Sequence, residues 1–342
     1  MGKRCTDQEL FDAVWALEQA KGHKTRAAAA IEISQNALVN RLYRAKLKGI
    51  TAGGIPEPEP IEKIGVPPTL GVPDPEQKPT IRVRYMPDDQ GSYLVIGIGD
   101  AHDSPGIPDK SRFRWLGAFA ADIKPDWVVQ IGDMFTMDSL CSYERNDSLR
   151  GKSKPAFMED MVSGEAALAA FDGGLNDYQC DKHVTLGNHE DRVWSFTDRT
   201  PEAEGMMQLE LDRLLARHGW TYSLYGMPWY LGGVALIHTP MSIMGRPIGG
   251  ELSGNSVTLK ATHDWVYGHD HRGSFYRRPK IGVNNSVSAL DLGCALPQGH
   301  IEDYAKIATT GWTYGAWEIR ISKGRIQSAK EHTMQELEER YG

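Results

Sequence analysis

The chain has 342 residues, of which 40% are hydrophobic and 24% are charged, and its formal net charge is −7. This composition is that of a globular protein and excludes wholesale disorder. No apolar run approaches the roughly 20 residues of a membrane span, and the first residues contain no apolar core of a secretory signal. The four cysteines are scattered without a C-x-x-C pair, which argues against a cysteine zinc site and favours free thiols. We therefore expect a cytoplasmic protein with no membrane partner.

Residues 1–50 are predicted to form a small, basic, all-α domain. They contain nine Lys/Arg against five Asp/Glu, whereas the rest of the chain is net acidic. Thr6 is placed to cap a first helix, with Glu9 three residues later, and Gly22 is placed to end it. Apolar residues follow the cap at helical spacing, at Leu10, Val14 and Leu17. The positive charge makes this domain the expected start of any nucleic-acid contact.

Two further short helices are predicted in the stretch KTRAAAAIEISQNALVNRLYRAKLKG. The alanine-rich helix should stop near Ile33, and Ser34 should cap a helix whose apolar face carries Leu38, Leu42 and Ala45. This arrangement resembles the DNA-binding helix-turn-helix of the Fis-like and homeodomain-like groups, with Glu32 where those motifs usually have a glycine. The resemblance implies DNA contacts from Gln35, Asn36, Asn40, Arg41 and Arg44, with Lys46 and Lys48 on phosphates. A helical bundle for protein contact or homodimerisation is the alternative.

Residues 51–80 are predicted to be a proline-rich linker. Eight of the 19 prolines lie in this window, and proline is compatible with neither a helix interior nor a central strand. Such a linker would span up to about 90 Å if it were polyproline-like. The predicted organisation is therefore a domain at 1–50, a linker at 51–80 and a large domain at 81–342.

The large domain shows an α/β pattern. Apolar strand-like runs lie at 93–99, 127–132, 183–186, 233–238 and 264–268. Helical patterns lie between several of them, at 111–122, 156–171 and 206–217. After Gly273 the runs become more β-like, which suggests a second sheet packed on the first.

Residues that can bind a metal follow each of the five apolar runs. In chain order they are Asp100 and His102, Asp133, Asn188 and His189, His238, and His269 and His271. In α/β sheets, the loops at the carboxyl ends of strands form the ligand crevice. The pattern therefore predicts one site at which carboxylate, amide and imidazole groups meet.

The order D-x-H, G-D, G-N-H-E, H, G-H-x-H, from Leu94 to His271, is similar to that of the calcineurin-like metallophosphoesterases. The resemblance implies an α/β fold, a two-sheet β-sandwich flanked by helices, and a hydrolase with a dinuclear metal centre. It also implies the ligands: Asp100, His102 and His271 for one ion, Asn188, His238 and His269 for the other, and Asp133 as the bridge. Such a mixed set favours Mn, with Fe, Zn or Ni as alternatives.

The resemblance gives His189 a different role, the protonation of the leaving oxygen. The family's Ser/Thr phosphatases carry G-D-x-x-D-R-G, but this chain reads GDMFTMDS, with Asp138 five residues after Asp133 and no Arg-Gly. This departure leaves the partner that orients His189 open. Arg192 and Arg145 are candidates for binding the substrate phosphate, with surface salt bridges as the alternative.

The predicted function is a metal-dependent DNA nuclease that its helix-turn-helix domain targets to DNA. The layout is typical of a phage or prophage protein acting in the bacterial host cytoplasm. The alternative is a phosphatase or phosphodiesterase for nucleotides or phosphoproteins, with the N-terminal domain used only for localisation or protein contact. Because every ligand position is filled, an inactive regulator is disfavoured.

Overall fold

The computed structural model describes residues 6–34, 37–39, 41–42, 45, 50–52, 91–142, 149–282, 285–302 and 311–342. The chain divides into two compact units, Met1–Gln77 and Lys78–Gly342. Among the described residues, no helix has the length and apolar character that crossing a bilayer demands.

The first unit contains helices α1 (Asp7–Gln19) and α2 (Lys24–Ala30). Thr6 and Glu9 cap α1 reciprocally: the Glu9 N–H donates to Thr6 Oγ1, and the Thr6 N–H donates to Glu9 Oε2. Ser34 also accepts a hydrogen bond from the Ala37 N–H at 3.2 Å, as expected of a helix cap. Glu32 lies between these helical stretches with φ +53°, the left-handed backbone conformation for which glycine is the usual residue.

The second unit contains two mixed sheets. The six-stranded sheet has the order β11-β10-β1-β2-β3-β4, in which β1 to β4 are parallel. The five-stranded sheet has the order β5-β6-β7-β9-β8, in which β6, β7 and β9 are parallel. The strands are β1 (Ser92–Ile98), β2 (Trp127–Gln130), β3 (Asp181–Thr185), β4 (Trp220–Ser223), β5 (Trp229–Leu231), β6 (Val234–Leu236), β7 (Trp265–Tyr267), β8 (Ser274–Pro279), β9 (Ser286–Asp291), β10 (Gly315–Ser322) and β11 (Arg325–Thr333).

Helices flank both sheets. Those of the second unit are α3 (Ser111–Ile123), α4 (Leu149–Lys152), α5 (Phe157–Leu175), α6 (Arg192–Arg199), α7 (Met206–Arg217), α8 (Ser253–Lys260) and α9 (Met334–Tyr341). Four helices bury one face against the six-stranded sheet: α3, α5, α7 and α9. Helix α8 packs on the five-stranded sheet.

Strand β2 shows how the sequence builds these layers. Val128 packs into the core between sheet and helices, whereas Trp127 and Val129 pack into the core between the two sheets. All four residues of the strand are buried. A parallel strand covered on both faces is mostly apolar, which is why this region reads as an apolar run. Its polar residue, Gln130, satisfies its buried amide through hydrogen bonds with the backbone of Gly99 and Gly132.

The strands are not divided between the sheets as the sequence suggested. The predicted second sheet, which was to follow Gly273, already includes β6 and β7, and β10 returns to the first sheet. There β10 pairs antiparallel with β1 from Ser92↔Ser322 to Ile98↔Ala316. The periodicity of a run predicts a strand, but its partner depends on which edge remains unpaired after the rest of the chain has folded.

His218, at the end of α7, connects this helix to α5 and makes stability depend on pH. Its Nδ1 lies 2.6 Å from Asp172 Oδ2, and this hydrogen bond raises the pKa of His218. Burial alone would raise the pKa of Asp172. The hydrogen bonds from His218 and Lys182 outweigh burial and lower this pKa. The stabilisation of the folded protein by His218 is therefore complete below about pH 6.5. It is lost as pH rises through the folded-state pKa of His218. The aspartate contribution is present above about pH 4 and is lost as pH falls through its folded value.

We expect His218→Gln to destabilise the protein mainly at mildly acidic pH. The loss in free energy of unfolding should be below about 1 kcal/mol, because Asp172 is partly exposed to solvent. It should shrink toward zero well above the folded pKa of His218. Urea unfolding of both proteins at about pH 5.5 and about pH 9 measures the difference. A loss that grew with pH would contradict this account of the pair.

Candidate metal centre

The structure brings all seven predicted metal ligands to one site. Asp100 and His102 follow β1, Asp133 follows β2, Asn188 follows β3, His238 follows β6, and His269 and His271 follow β7. These strands come from both sheets, and each presents its carboxyl end to the site. The site therefore lies where the carboxyl ends of parallel strands in two layers meet.

One half of the site is built around His271. Its Nε2 lies 3.0 Å from Asp100 Oδ2 and 3.0 Å from His102 Nε2. All three residues are buried, with Asp100 fully inaccessible to solvent. Their ligand atoms lie within 4.8 Å of one another, close enough to hold one metal ion.

The other half is built around His238. Its Nε2 lies 3.2 Å from Asp133 Oδ2, 3.1 Å from Asn188 Oδ1 and 3.3 Å from His269 Nδ1. Asp133 Oδ2 also lies 3.9 Å from His102 Nε2, so this carboxylate connects the two halves. The buried Asp and His groups of the site could hold metal ions.

The hydrogen bonds of His238 fit metal binding. Its Nδ1 lies 3.0 Å from the Ile131 carbonyl oxygen, which can only accept, so Nδ1 carries the proton. In the neutral ring, Nε2 then presents a lone pair toward Asp133 Oδ2 and Asn188 Oδ1. The two oxygens and Nε2 therefore face one point that takes a positive charge, either a proton on the ring or a metal cation in its place. This tautomer, fixed by a backbone carbonyl, is typical of histidines that bind metal.

The electrostatics of the site also favour a cation. Burial lowers the pKa of His238, but the Asp133 and Asp100 carboxylates outweigh it and raise this pKa to about 10. Burial would raise the pKa of Asp133, yet the neighbouring His238 and His189 hold it well below its usual range. The site therefore keeps its carboxylate ionised and attracts positive charge.

Four of the seven ligand residues have a left-handed backbone. The φ angles are +43° at His102, +49° at Asp133, +78° at His269 and +56° at His271. This conformation costs about 1–2 kcal/mol for a residue with a Cβ, and such strain is concentrated at functional sites. The strand-end loops thus turn sharply and direct these side chains inward.

His189 lies beside the site, and a backbone group orients it. Its Nδ1 donates to the Thr136 carbonyl at 2.8 Å, which leaves Nε2 facing the site, 3.9 Å from Asp133 Oδ2. Asp138, the acidic residue considered for this role, instead accepts from Arg192 Nη1 at 3.3 Å. The orienting partner is thus a main-chain oxygen, which no residue pattern could have indicated.

Arg192 lies next to His189. Its Nη1 donates to the Thr136 carbonyl at 2.8 Å, and its Nη2 is 3.4 Å from His189 Nε2. The side chain is 13% exposed. The guanidinium group is therefore held at the rim of the site, where it can meet a substrate anion.

Glu190 is a structural residue that the sequence did not explain. It is fully buried, and its carboxylate accepts hydrogen bonds from the backbone N–H groups of Asp133, Phe135 and Gly187 at 2.8–3.0 Å. Burial raises its pKa to about 7. Glu190 thus joins the loops after β2 and β3, and it neither orients His189 nor faces substrate.

The other predicted site residues are placed as follows. Arg41, a predicted DNA contact, lies 3.3 Å from Glu9 within the first unit. The remaining predicted DNA and phosphate contacts lie outside the described residues: Gln35, Asn36, Asn40, Arg44, Lys46, Lys48 and Arg145. Asp103, which follows His102 in sequence, accepts hydrogen bonds from Lys110 and Ser163.

The close approach of two loops at Gly187 yields a test of the site. A Cβ at this position would overlap Asp133 Oδ1 and the Asp133 backbone nitrogen. We expect Gly187→Ala to displace the carboxylate and to weaken Mn²⁺ binding at least about ten-fold, as measured by calorimetric titration.

Gly173→Ala is the matched control for this substitution. Gly173 lies within α5, and a Cβ there would meet no atom within 4 Å. The Gly173→Ala protein should bind Mn²⁺ with the affinity of the original protein and should gain up to about 1 kcal/mol in free energy of unfolding. Unchanged metal affinity in Gly187→Ala would contradict the assigned position of Asp133.

The comparisons with known proteins give no family. No protein-family profile and no curated protein matches the chain. One solved structure is 12% identical with a TM-score of 0.36, covering 70% of this chain and 99% of its own. The crystal structure of the Thermus thermophilus protein TT1561 is 8% identical with a TM-score of 0.29, covering 60% of this chain and 90% of its own. At TM-scores this low, neither similarity bears on the function of the site.

Proposed function

We propose that the chain is a calcineurin-like metallophosphoesterase that hydrolyses phosphodiester bonds of DNA through a dinuclear metal centre. One observation carries the proposal: seven ligand-type side chains from five strand ends converge on one buried site, in the order that the family resemblance implies. The two mixed sheets flanked by helices are compatible with the two-layer sandwich of that family.

Two divalent ions, preferably Mn²⁺ with Fe, Zn or Ni as alternatives, would suit this mixed donor set. The ligands would divide into Asp100, His102 and His271 for one ion and Asn188, His238 and His269 for the other, with Asp133 between them. When bound, such ions supply Lewis acidity, which lowers the pKa of water and offsets charge on the phosphoryl oxygens.

His189 would perform the proton transfer. Because its Nδ1 donates to the Thr136 carbonyl, the proton that moves is held at Nε2. Asp133, 3.9 Å from Nε2, stabilises the protonated ring, which can then protonate the leaving oxygen. Arg192, 3.4 Å from the same nitrogen, would bind a phosphoryl oxygen of the substrate.

The N-terminal unit supports DNA as the substrate. Its alanine-rich α2, the left-handed Glu32 and the Ser34 cap form two helical stretches joined by a tight turn. Ala27 and Leu38 are buried in one hydrophobic core together with Ala13 and Ala16 of α1. A basic domain at residues 1–50, joined to a hydrolase by a linker, would raise the concentration of DNA at the active site.

The test is to incubate the protein with Mn²⁺ and supercoiled, linear or single-stranded DNA, alongside bis(p-nitrophenyl) phosphate. We expect hydrolysis of the aryl diester and of at least one form of DNA. Hydrolysis of the aryl diester with every DNA form intact would overturn DNA as the substrate and favour a small phosphoester. Failure to hydrolyse either with Mn²⁺, Fe²⁺, Zn²⁺ or Ni²⁺ would overturn the phosphoesterase itself.

A version lacking residues 1–50 separates the roles of the two units. It should hydrolyse the aryl diester at the full rate but cleave DNA more slowly, because only the local concentration of DNA is lost. Retained aryl activity shows that the remaining chain is folded. Undiminished DNA cleavage by this version would show that the N-terminal unit does not contribute to substrate binding.

A further inference from the structure

We propose that residues 272–280, called here the basic strip, bind a single-stranded segment of nucleic acid at the exit of the metal centre. This inference rests on the proposed nuclease function and narrows its substrate to a strand with unpaired bases. The strip comprises Arg272, Gly273 and strand β8 followed by Lys280. It belongs to the second unit and is independent of the predicted helix-turn-helix.

The exposed aromatic residues of β8 are unusual. β8 is the outermost strand of the five-stranded sheet, and four consecutive residues, 274–277, are exposed. Phe275 and Tyr276 are adjacent and are 39% and 42% exposed. A strand at the edge of a sheet normally alternates buried and exposed positions, so two neighbouring aromatic rings in solvent indicate a binding surface.

The cations of the strip are held in place by neutral groups. Arg277 donates to Ser288 Oγ and to the Ile326 carbonyl, Arg278 to Thr258 Oγ1, and Lys280 to the Thr258 and Leu259 carbonyls. In the described part of the chain, none of these three cations bonds to a carboxylate. Their positive charges are therefore oriented but not neutralised.

The charge of the strip contrasts with the domain around it. Residues 81–342 contain 27 Lys/Arg against 35 Asp/Glu, yet residues 271–290 contain four cations and no acid. Such a local reversal of sign attracts a polyanion to this edge of the sheet in an otherwise acidic domain. An acidic peptide could supply charge, but it would lack the flat rings that the exposed aromatics suit.

The guanidinium groups lie over the aromatic rings. Arg277 Cζ is 5.2 Å from the centre of the Phe275 ring, and Arg278 Cζ is 5.9 Å from that of Tyr276. Each face of the strand therefore pairs a ring with a cation. Base stacking on aromatic rings together with phosphate contacts from cations is the usual mode of binding single-stranded nucleic acid.

The strip begins next to the metal centre. Ser274, the first residue of β8, is three residues after His271, so the two lie within about 10 Å. A strand whose phosphodiester reached the metal centre could continue along β8 without leaving the protein. Base pairing would prevent stacking on Phe275 and Tyr276, which is why the segment on the strip should be single-stranded.

The first test measures binding of a fluorescein-labelled oligo-dT by fluorescence anisotropy. The full chain is used with EDTA, so that no cleavage occurs, over a range of KCl concentrations. Phe275→Ala and Tyr276→Ala should each weaken binding about five-fold or more, through the loss of base stacking. Lys280→Gln should lower the slope of log affinity against log salt by about 0.7, the value for one phosphate contact.

Lys330→Gln is the matched control, because Lys330 is a lysine on β11, the edge strand of the other sheet. Its salt slope and affinity should equal those of the original protein. Original affinity in both aromatic variants, or equal slopes for Lys280→Gln and Lys330→Gln, would overturn the proposal.

A second measurement uses the unsubstituted protein, so that folding of variants is not at issue. A single-stranded oligonucleotide containing 5-iododeoxyuridine is irradiated with the full chain, and the crosslinked peptide is identified by mass spectrometry. Crosslinks within 272–280 support the strip, and crosslinks confined to other segments overturn it. Crosslinks there without cleavage by any metal would support the strip and refute the nuclease function, so the two failures are distinguishable.

Discussion

An Asp133→Asn protein is expected to lose roughly 10³-fold or more of its phosphodiester turnover together with most of its bound metal. Asp133 Oδ2 lies 3.2 Å from His238 Nε2 and 3.9 Å from the Nε2 atoms of both His102 and His189. The amide keeps the shape of the carboxylate but removes the negative charge between the two halves of the site. Two divalent ions would then repel each other without an intervening anion.

Turnover of bis(p-nitrophenyl) phosphate and metal content by elemental analysis measure this loss. Asp291→Asn is a matched control, because Asp291 is also buried near Asp100, and burial raises its pKa well above the usual range. Asp291 is not among the seven ligand residues, and an amide there can still accept the hydrogen bond from the Gly293 N–H, so metal content should be unchanged. Full metal content with normal turnover in Asp133→Asn would exclude Asp133 as a bridging ligand.

His189→Ala is expected to keep the bound metal and to lose roughly 10²–10⁴-fold in turnover, according to the leaving group. An alkoxide leaving group requires a proton, whereas p-nitrophenolate is stable without one. The loss should therefore be large for DNA or a methyl ester and much smaller for the nitrophenyl ester. Comparison of the two esters isolates proton donation from every other effect of the substitution.

The metal content of the same variant tests the competing role of His189. Its ligand nitrogen lies within 4.8 Å of the ligand atoms of His102 and Asp133, so these three residues could also hold an ion. If His189→Ala lost metal and slowed both esters equally, His189 would be a ligand. The hydrogen bond from His189 to the Thr136 carbonyl would then orient a metal ligand, and a group other than His189 would have to protonate the leaving oxygen.

The ligand residues could be identified from sequence because few residue types bind metals and their positions followed a simple rule. Asp100, Asp133 and His238 each come within three residues of the end of a buried apolar strand. Parallel strands direct their carboxyl ends to one edge, so residues far apart in sequence can be predicted to meet. The helix caps at Thr6 and Ser34 depend only on residues three positions away, and both form the predicted hydrogen bonds.

The rest of the site depends on contacts between distant segments. Glu190 binds three backbone N–H groups, two of them from the loop after β2, and its charge in the sequence gave no sign of that role. His102 and Asp133 have left-handed φ angles of +43° and +49°, although neither is glycine. A local pattern contains no information about such angles when the residues are not glycine.

By itself, the sequence determined the strands that carry the ligand residues, several of the helices and the chemical types at the strand ends, because periodicity and metal chemistry act through neighbouring residues. It did not indicate the short strands β4 and β5 or the helices α6, α8 and α9. Only the tertiary structure decided that β6 and β7 belong to a sheet different from that of β1, and that β10 completes the first sheet. It also decided that a carbonyl oxygen, at Thr136, orients His189. These features depend on which unpaired edges and backbone groups come together when the layers pack, and backbone groups are the same in every residue.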